Sequence, residues 1–202
     1  MKLTDKKTWD KVIYGLIYPG FLGSMLYELV PADASKFTLT FFFSTPDNHL
    51  RYGILIFCLL DYIHLYGDMD AVIVDPNRKS LTYFLCDFLS SCGYVASFIA
   101  LKLPNYVVTI VVFGIIPWIF LTYKFKNRAD RTFLTRYGVL TSLIVLYRIA
   151  LSIFESLPYV TDQFLAFSVI GLNIVAYSIY IFKYYEKRSK QIDEQAAAEY
   201  QA

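Results

Sequence analysis

Six long apolar segments constrain this chain more than any other feature of its sequence. A helix that crosses the hydrocarbon core of a bilayer needs ~20 mainly apolar residues, and these segments occupy most of the 202 residues. Proline, glycine or charged residues separate them. The predicted spans are residues 12–30, 51–67, 80–101, 105–123, 132–154 and 162–184.

The composition agrees with a membrane protein, because 56% of the residues are apolar and the mean hydropathy is +0.44. Residues 1–185 are predicted to form an all-α integral membrane domain, a compact bundle of six transmembrane helices with no large soluble domain. Residues 186–202 are polar and rich in good helix formers, which predicts a helical cytoplasmic tail. The three cysteines show no CxxC spacing, so neither a disulfide framework nor a structural zinc site is indicated.

The distribution of basic residues predicts the orientation of the bundle. If the N-terminus is cytoplasmic, fifteen of the 19 lysines and arginines fall on cytoplasmic segments, as the positive-inside rule requires. We therefore expect both termini in the cytoplasm and the bundle in the plasma (inner) membrane. The first segment, with lysines before it and small residues at 32–34 after it, also resembles a signal peptide; Pro19, Gly20 and Glu28 interrupt it and favour a span.

Ionisable residues at membrane depth are the strongest functional indication, since a charge near the bilayer centre costs roughly 2.5–3.5 kcal/mol. On the second segment Asp61, His64 and Asp68 follow an i, i+3, i+7 spacing, which puts them on one helical face. Asp87 on the third segment is expected at a depth close to that of Asp61, and Asp70 lies in the connection between the two segments. This hairpin is the predicted site.

Three kinds of function can use the hairpin. Carboxylates beside a histidine can relay protons or bind a cation in a transport pathway, so a small transport or ion-conducting subunit is the preferred interpretation. The oxygens of Asp61, Asp68, Asp70 and Asp87 could instead hold a hard divalent cation for chemistry on a lipid phosphate. In the third interpretation neighbouring side chains satisfy the acids, and the protein is a membrane-embedded scaffold or sensor that docks a cytoplasmic partner protein.

The enzyme alternative lacks a matching motif. The six-span CDP-alcohol phosphotransferases carry an acidic metal motif, D-x-x-D-G-x-x-A-R, at a corresponding position. Here His64 stands where the second acid would be, and no Ala-Arg pair follows. Two histidines cannot build a three-histidine zinc site, and neither a phosphate loop nor a nucleophile elbow is present. The sequence therefore leans away from an enzyme and indicates no cofactor.

A second polar group is predicted in the outer half of the bundle. Arg148 lies inside the fifth segment, near the expected depth of Glu28 and within two turns of Glu155. Such a residue either forms a buried ion pair or supplies a fixed positive charge along a polar path.

Other features predict how the helices pack. Gly15, Pro19 and Gly23 recur every four residues and predict a small face where another helix can approach. Pro117 predicts a kink that frees backbone groups, and Asn173 is predicted to be a packing residue that hydrogen-bonds across helices.

The basic connection after the fourth segment predicts contact with anionic lipid headgroups or a partner protein. Its cations are Lys124, Lys126, Arg128 and Arg131. We expect an oligomer or a larger membrane complex, and no nucleic-acid partner, because the net charge is only +2. Alternating residues in 32–50 predict a short strand or an interfacial segment.

Overall fold

The structure is a computed structural model that describes residues 12–29, 46–69, 80–103, 105–123, 128–154 and 157–199. The described residues form six α-helices and no strand, which confirms the all-α prediction for this part of the chain. A π-helical turn at Ile13–Ile17 leads into the first helix. The helices are α1 (Tyr18–Leu29), α2 (Pro46–Met69), α3 (Ser80–Ala100), α4 (Tyr106–Tyr123), α5 (Arg128–Ile153) and α6 (Asp162–Glu199). The alternating segment predicted within 32–50 lies mostly outside the described residues.

Local signals fix two of the helix ends. Thr161 precedes α6, and its Oγ1 accepts a hydrogen bond from the N–H of Phe164 at 3.2 Å, which is an N-cap. Asp162 in the first turn adds a negative charge at the positive end of the helix dipole. At the end of α3 the carbonyl of Ala100 accepts the N–H of Asn105 at 3.0 Å. This tight reversal sets α4 antiparallel beside α3.

Helix α2 lies at the centre of the bundle and packs against α1, α3 and α6. Its buried face repeats every three or four residues through Leu50, Ile54, Phe57, Asp61 and His64, the spacing of one side of a helix. Helix α4 packs against α3, α5 and α6. Because α6 contacts both α2 and α4, it joins the two halves of the bundle.

The bundle has an apolar core that also contains polar side chains, and much of its outer surface is apolar. Among the described residues eight polar side chains are buried: Asp61, His64, Ser90, Ser91, Ser97, Thr109, Thr141 and Asn173. Along residues 137–151 of α5 and 163–182 of α6, every exposed side chain is apolar. Soluble monomers rarely expose a continuous apolar surface of this extent.

Two of the helices contain segments long and apolar enough to cross a membrane. They are Thr132–Ile153, with a mean hydropathy of 1.4, and Asp162–Lys183, with 2.0. The apolar helical segments Phe88–Ala100 and Tyr106–Ile119 are shorter. The prediction of six spans is therefore not confirmed, because only these two segments of the described residues meet the criteria of length and hydropathy.

Pro117 lies within α4, and two neighbouring helices compensate for it. A proline has no N–H to donate to the carbonyl four residues earlier, which here belongs to Phe113. Asn173 of α6 donates its Nδ2 to that carbonyl at 3.0 Å. The hydroxyl of Thr141 on α5 lies 3.2 Å from the next carbonyl, that of Gly114, and shares its one hydrogen with the carbonyl of Gly138 in its own helix, at 3.0 Å. The prediction that Asn173 bonds across helices is therefore confirmed, and its acceptor is the carbonyl that Pro117 frees.

Close helix contact occurs at glycines other than those predicted. A Cβ on Gly114 of α4 would lie 2.3 Å from Cγ2 of Val145 on α5, so no larger residue fits there without movement. The expectation for Gly15 and Gly23 of the first segment is wrong. No described atom lies within 4 Å of a Cβ built at either position, so this small-residue face is not a packing face between the described helices.

Candidate functional site

The carboxylate of Asp61 lies at the centre of the bundle among three tyrosine hydroxyls. Tyr177 donates to Oδ1 at 2.7 Å. Tyr18 and Tyr94 donate to Oδ2 at 3.0 and 3.4 Å. All four side chains are buried, with 2% exposure for Asp61. We call this group the tyrosine cage.

Each tyrosine of the cage comes from a different helix. Tyr18 belongs to α1, Tyr94 to α3 and Tyr177 to α6, while Asp61 belongs to α2. A buried carboxylate without hydrogen bonds would carry a large desolvation cost, and a hydrogen bond to a charged group contributes about 1.5–3 kcal/mol. The polar group at the centre therefore joins four helices through one side chain.

His64 follows Asp61 by one turn on the same face of α2 and is 3% exposed. Three tyrosine rings of α6 lie nearly perpendicular to the imidazole of His64. They belong to Tyr177, Tyr180 and Tyr185, and their centroids lie 5.9, 5.5 and 6.4 Å from the imidazole centroid. Tyr177 contacts both ionisable groups, because its ring packs against His64 and its hydroxyl bonds Asp61. The predicted pairing of Asp61 and His64 on one inward face agrees with this arrangement.

Aromatic packing holds the cage in position. The ring of Phe57, one turn before Asp61, packs against Tyr94 at 5.5 Å, Tyr177 at 5.4 Å and Phe113 at 5.4 Å between centroids. Edge-to-face pairs of this kind contribute about 0.5–1.5 kcal/mol beyond their buried area. Two of the three cage tyrosines are therefore fixed by their rings as well as by their hydroxyls.

A narrow cleft runs between α1, α2 and α3 beside the cage. Tyr18, Met25, Cys58, Ser91 and Tyr94 are among the residues that line it, and it has no room for a water molecule. This cleft alone does not connect Asp61 to solvent.

Buried hydroxyls continue along the inward face of α3. Ser90 and Ser97 stand one turn to either side of Tyr94, and both are buried. Gly93 lies opposite Val112 of α4, and Thr109, one turn before Val112, is also buried. The hydroxyls of Ser90, Ser97 and Thr109 have no hydrogen-bond partner among the described residues. Polar groups of this kind are normally satisfied by ordered water or by a ligand.

The outer ion pairs differ from those predicted. Arg148 pairs with Asp162 at the start of α6, and Glu28 pairs with Lys102 after α3. Arg148 and Glu28, which were predicted at similar depths, therefore do not pair with each other. Glu155, the other predicted partner, lies outside the described residues. The Arg148–Asp162 pair is partly exposed and ties the end of α5 to the start of α6, which is a structural role.

A second set of contacts joins α1, α2 and α3 at the same end of the bundle. Arg51 of α2 donates to the carbonyl of Glu28 at 3.5 Å, and its guanidinium lies 4.4 Å from the ring centroid of Phe98. Cation–π contacts of this kind contribute about 0.5–1 kcal/mol at exposed sites. Together with the Glu28–Lys102 ion pair, they give α1 a second attachment beyond the tyrosine cage.

The remaining predicted site residues are only partly described. Asp68 belongs to α2, Asp87 to α3, and Arg128 and Arg131 to α5, but their side chains lie outside what the structure describes. Asp70, Lys124 and Lys126 lie outside the described residues altogether.

A metal site gains no support from the described side chains. They contain no group of three or more histidine, cysteine, aspartate or glutamate residues that could hold a metal ion. Of the four acids suggested as metal ligands, only Asp61 has a described side chain, and its neighbours are phenols.

Tyr18, Tyr94 and Tyr177 are absent from the residues predicted for the site. A signal for them exists in the sequence, because each lies well inside an apolar segment rather than at its end. Tyrosines at the ends of spans mark the membrane interface, whereas a buried tyrosine hydroxyl needs a hydrogen-bond partner. Asp61 supplies that partner for all three.

Comparison of the chain with models of protein families, with curated proteins and with solved structures found no match.

Proposed function

We propose that this chain is an integral membrane protein of six spans in the plasma membrane, with both termini cytoplasmic. The apolar exterior of the bundle supports this, and exposed Ile63 of α2 and Leu89 of α3 extend it beyond the two longest apolar helices. On α6 the stretch from Phe164 to Phe182 is roughly 27 Å long at 1.5 Å per residue, close to the ~30 Å hydrocarbon core. The concentration of lysine and arginine on alternate connections supports the orientation.

Within this bundle we propose a small transport or ion-conducting subunit in which Asp61 is the ion-binding group. The observation that carries the proposal is a fully buried carboxylate surrounded by hydroxyls from three other helices. Asn173 shows that an uncharged side chain can join helices in the interior of this bundle, whereas the ion pairs Glu28–Lys102 and Arg148–Asp162 lie at partly exposed helix ends. An ionisable side chain at the centre of a membrane helix costs roughly 2.5–3.5 kcal/mol on insertion and by default indicates a functional site.

The geometry supports coupling between ion binding and helix movement. Any change in the charge of Asp61 alters its contacts with α1, α3 and α6 together. The cleft beside the cage has no room for water, so an ion path through this cleft requires helix movement or completion by another subunit. We therefore propose that the protein works as an oligomer or within a membrane complex.

Flux measurements in proteoliposomes test this function. Purified full-length protein is compared with Asp61→Asn and with Tyr159→Phe, a matched control because Tyr159 is 84% exposed. Proton and alkali-cation fluxes are recorded on variants that elute as the same species on size-exclusion chromatography. We expect Asp61→Asn to lower a flux at least tenfold and Tyr159→Phe to leave it unchanged. Equal flux in all three proteins would contradict the proposal.

A second candidate is a membrane scaffold that docks a cytoplasmic partner protein. The observation that favours it is α6, which continues as one helix from Asp162 to Glu199 and so extends well past Lys183, where its membrane-crossing segment ends. At 1.5 Å per residue this is roughly 24 Å of helix beyond the apolar surface.

Removing the tail separates the two candidates. A chain ending at residue 185 keeps the tyrosine cage and, on the transport proposal, keeps Asp61-dependent flux. On the scaffold proposal it loses a partner that co-purifies with the full chain from native membranes, while Asp61→Asn keeps that partner as long as it folds.

A further inference from the structure

We infer that the ion bound at Asp61 is a proton and not an alkali or divalent cation. This inference rests on the proposed transport function and names its substrate. It is drawn from the direction of the hydrogen bonds in the tyrosine cage.

A metal cation needs oxygen lone pairs pointing at it. Ca²⁺ takes six to eight oxygen ligands, and Mg²⁺ a near-ideal octahedron. In the cage, Tyr177 donates its hydrogen to Oδ1, while Tyr18 and Tyr94 donate theirs to Oδ2. The three phenols therefore take three of the roughly four lone-pair positions of the carboxylate, and they direct O–H hydrogens, not lone pairs, toward it.

The surroundings add too few further ligands for a metal ion. The described residues hold no group of three metal-ligating side chains, and the adjoining cleft has no room for a water molecule that could complete a coordination shell. A proton needs neither, because it bonds a single carboxylate oxygen.

The binding step balances with the groups present. A proton from one side forms an O–H bond on Oδ2 of Asp61 and converts the carboxylate to a neutral carboxylic acid. One of the two phenols that donate to Oδ2 turns to accept the new O–H. The hydrogen bond from the other phenol breaks, because the neutral, protonated oxygen is a poorer acceptor than the carboxylate. Release of the same proton to the other side restores the starting bonds.

Protonation therefore weakens the attachment of one helix. The hydrogen bond from Tyr94 is the longest of the three, at 3.4 Å, and Tyr18 donates to the same oxygen at 3.0 Å. Both belong to helices that line the narrow cleft with α2. Loss of either bond loosens the contact of α2 with α1 or α3, at the place where a path through this cleft has to open.

The ionisable groups around Asp61 come from several helices. Tyr18 faces it from α1, Tyr94 from α3 and Tyr177 from α6, and all three are phenols. Cys58 and His64 lie one turn away on α2 itself, both buried. The imidazole of His64 can both donate and accept a hydrogen, so among these groups it is the neighbour best suited to exchange a proton with the cage.

Two gradients distinguish a proton from other cations. Proteoliposomes of the full chain receive either a pH gradient at equal Na⁺ and K⁺, or a Na⁺ or K⁺ gradient at equal pH. Wild type, Asp61→Asn, Tyr177→Phe and Tyr159→Phe are compared. We expect proton flux that falls at least tenfold in Asp61→Asn, and Na⁺ and K⁺ fluxes that do not depend on Asp61.

Tyr177→Phe tests the cage without removing the carboxylate. It deletes the shortest donor, which stabilises the deprotonated form of Asp61. The pH at half-maximal flux should rise, while Tyr159→Phe leaves it unchanged. A purely structural role for Tyr177 would lower flux equally at every pH, and this result would overturn the cage mechanism.

Infrared spectroscopy gives a readout that does not depend on flux. All 12 aspartates contribute when aspartate is labelled with carbon-13, so the band of interest is the carboxylic C=O band that acidification produces in wild type and not in Asp61→Asn. This band should be insensitive to replacing choline by Na⁺ or K⁺. A band suppressed by Na⁺ or K⁺ would overturn the inference.

The outcomes separate the two proposals. Asp61-dependent proton flux supports both. Asp61-dependent Na⁺ or K⁺ flux without proton flux overturns the inference and leaves the transport function standing. The absence of any Asp61-dependent flux overturns the transport function and the inference with it.

Discussion

The hydrogen bond from Asn173 to the carbonyl of Phe113 should stabilise the bundle because Pro117 is present. Pro117 cannot donate to that carbonyl, and Asn173 Nδ2 does so from α6 at 3.0 Å. Asn173 is fully buried, so truncating it leaves a carbonyl without its donor. We predict that Asn173→Ala lowers the free energy of unfolding by about 1–2 kcal/mol.

The magnitude follows from the bonds that are lost. Hydrogen bonds between membrane helices contribute about 0.6 kcal/mol on average and up to about 1.7, and an unsatisfied buried acceptor adds a cost of about 1–3 kcal/mol. The second bond of Asn173, to the carbonyl of Val169, lies within α6. That carbonyl is also positioned to accept the backbone N–H of Asn173, so its loss adds little.

A double-mutant cycle isolates the role of the proline. Pro117→Ala restores an N–H that can bond the Phe113 carbonyl, so Asn173→Ala should cost less than about 0.5 kcal/mol in that background. The coupling energy should be about 1 kcal/mol. Ser168→Ala is the control, because the Ser168 hydroxyl bonds only within α6, to the carbonyl of Phe164.

Reversible unfolding in mixed detergent micelles, followed by circular dichroism, measures these energies. Coupling below about 0.3 kcal/mol would refute the reasoning. It would mean that Asn173 stabilises the bundle independently of the carbonyl that the proline frees.

Two further predictions concern packing and the tail. Gly114→Ala should lower the free energy of unfolding by about 1–3 kcal/mol, because its Cβ would meet Val145. The control Gly20→Ala, whose Cβ meets no described atom, should be neutral or stabilising in the same unfolding assay. An equal loss of unfolding free energy in both variants would refute this packing. In the tail Lys190 bonds Glu186 at 2.9 Å, and this hydrogen bond lowers the pKa of Glu186 and raises the pKa of Lys190. The stabilisation from Glu186 is lost as pH falls through its lowered pKa, and the stabilisation from Lys190 is lost as pH rises through its raised pKa. Helicity at residues 186–190, followed by NMR chemical shifts, should therefore decrease at both low and high pH. Lys190→Gln should remove this pH dependence of the helicity.

The helices could be predicted from the sequence because long apolar segments between breakers have one regular structure that satisfies their backbone in an apolar environment. The ionisable face of α2 followed from the spacing of Asp61 and His64 alone. The rotation of each helix about its axis could not be predicted from the sequence, because it depends on packing between helices that a single sequence does not reveal to inspection. For this reason Tyr177, 116 residues after Asp61, could not be placed beside it.

The same reason explains the difference in the ion pairs. Arg148 was matched with acids at a similar depth, but several helices offer an acid there. Its observed partner, Asp162, lies at the start of the following helix, where the connection brings it close. Glu28 is paired instead with Lys102, so similar positions along the predicted spans did not identify which charges meet.

The most direct test of this account is whether the apolar exterior lies against lipid. Spin labels at Leu146 and Val175, each 58% exposed, are compared in nanodiscs with a label at Lys190 in the tail, in a chain without its native cysteines. We predict stronger relaxation by molecular oxygen than by a water-soluble nickel complex at Leu146 and Val175, and the reverse at Lys190. Stronger relaxation by the nickel complex at Leu146 and Val175 would contradict the membrane bundle and the site within it.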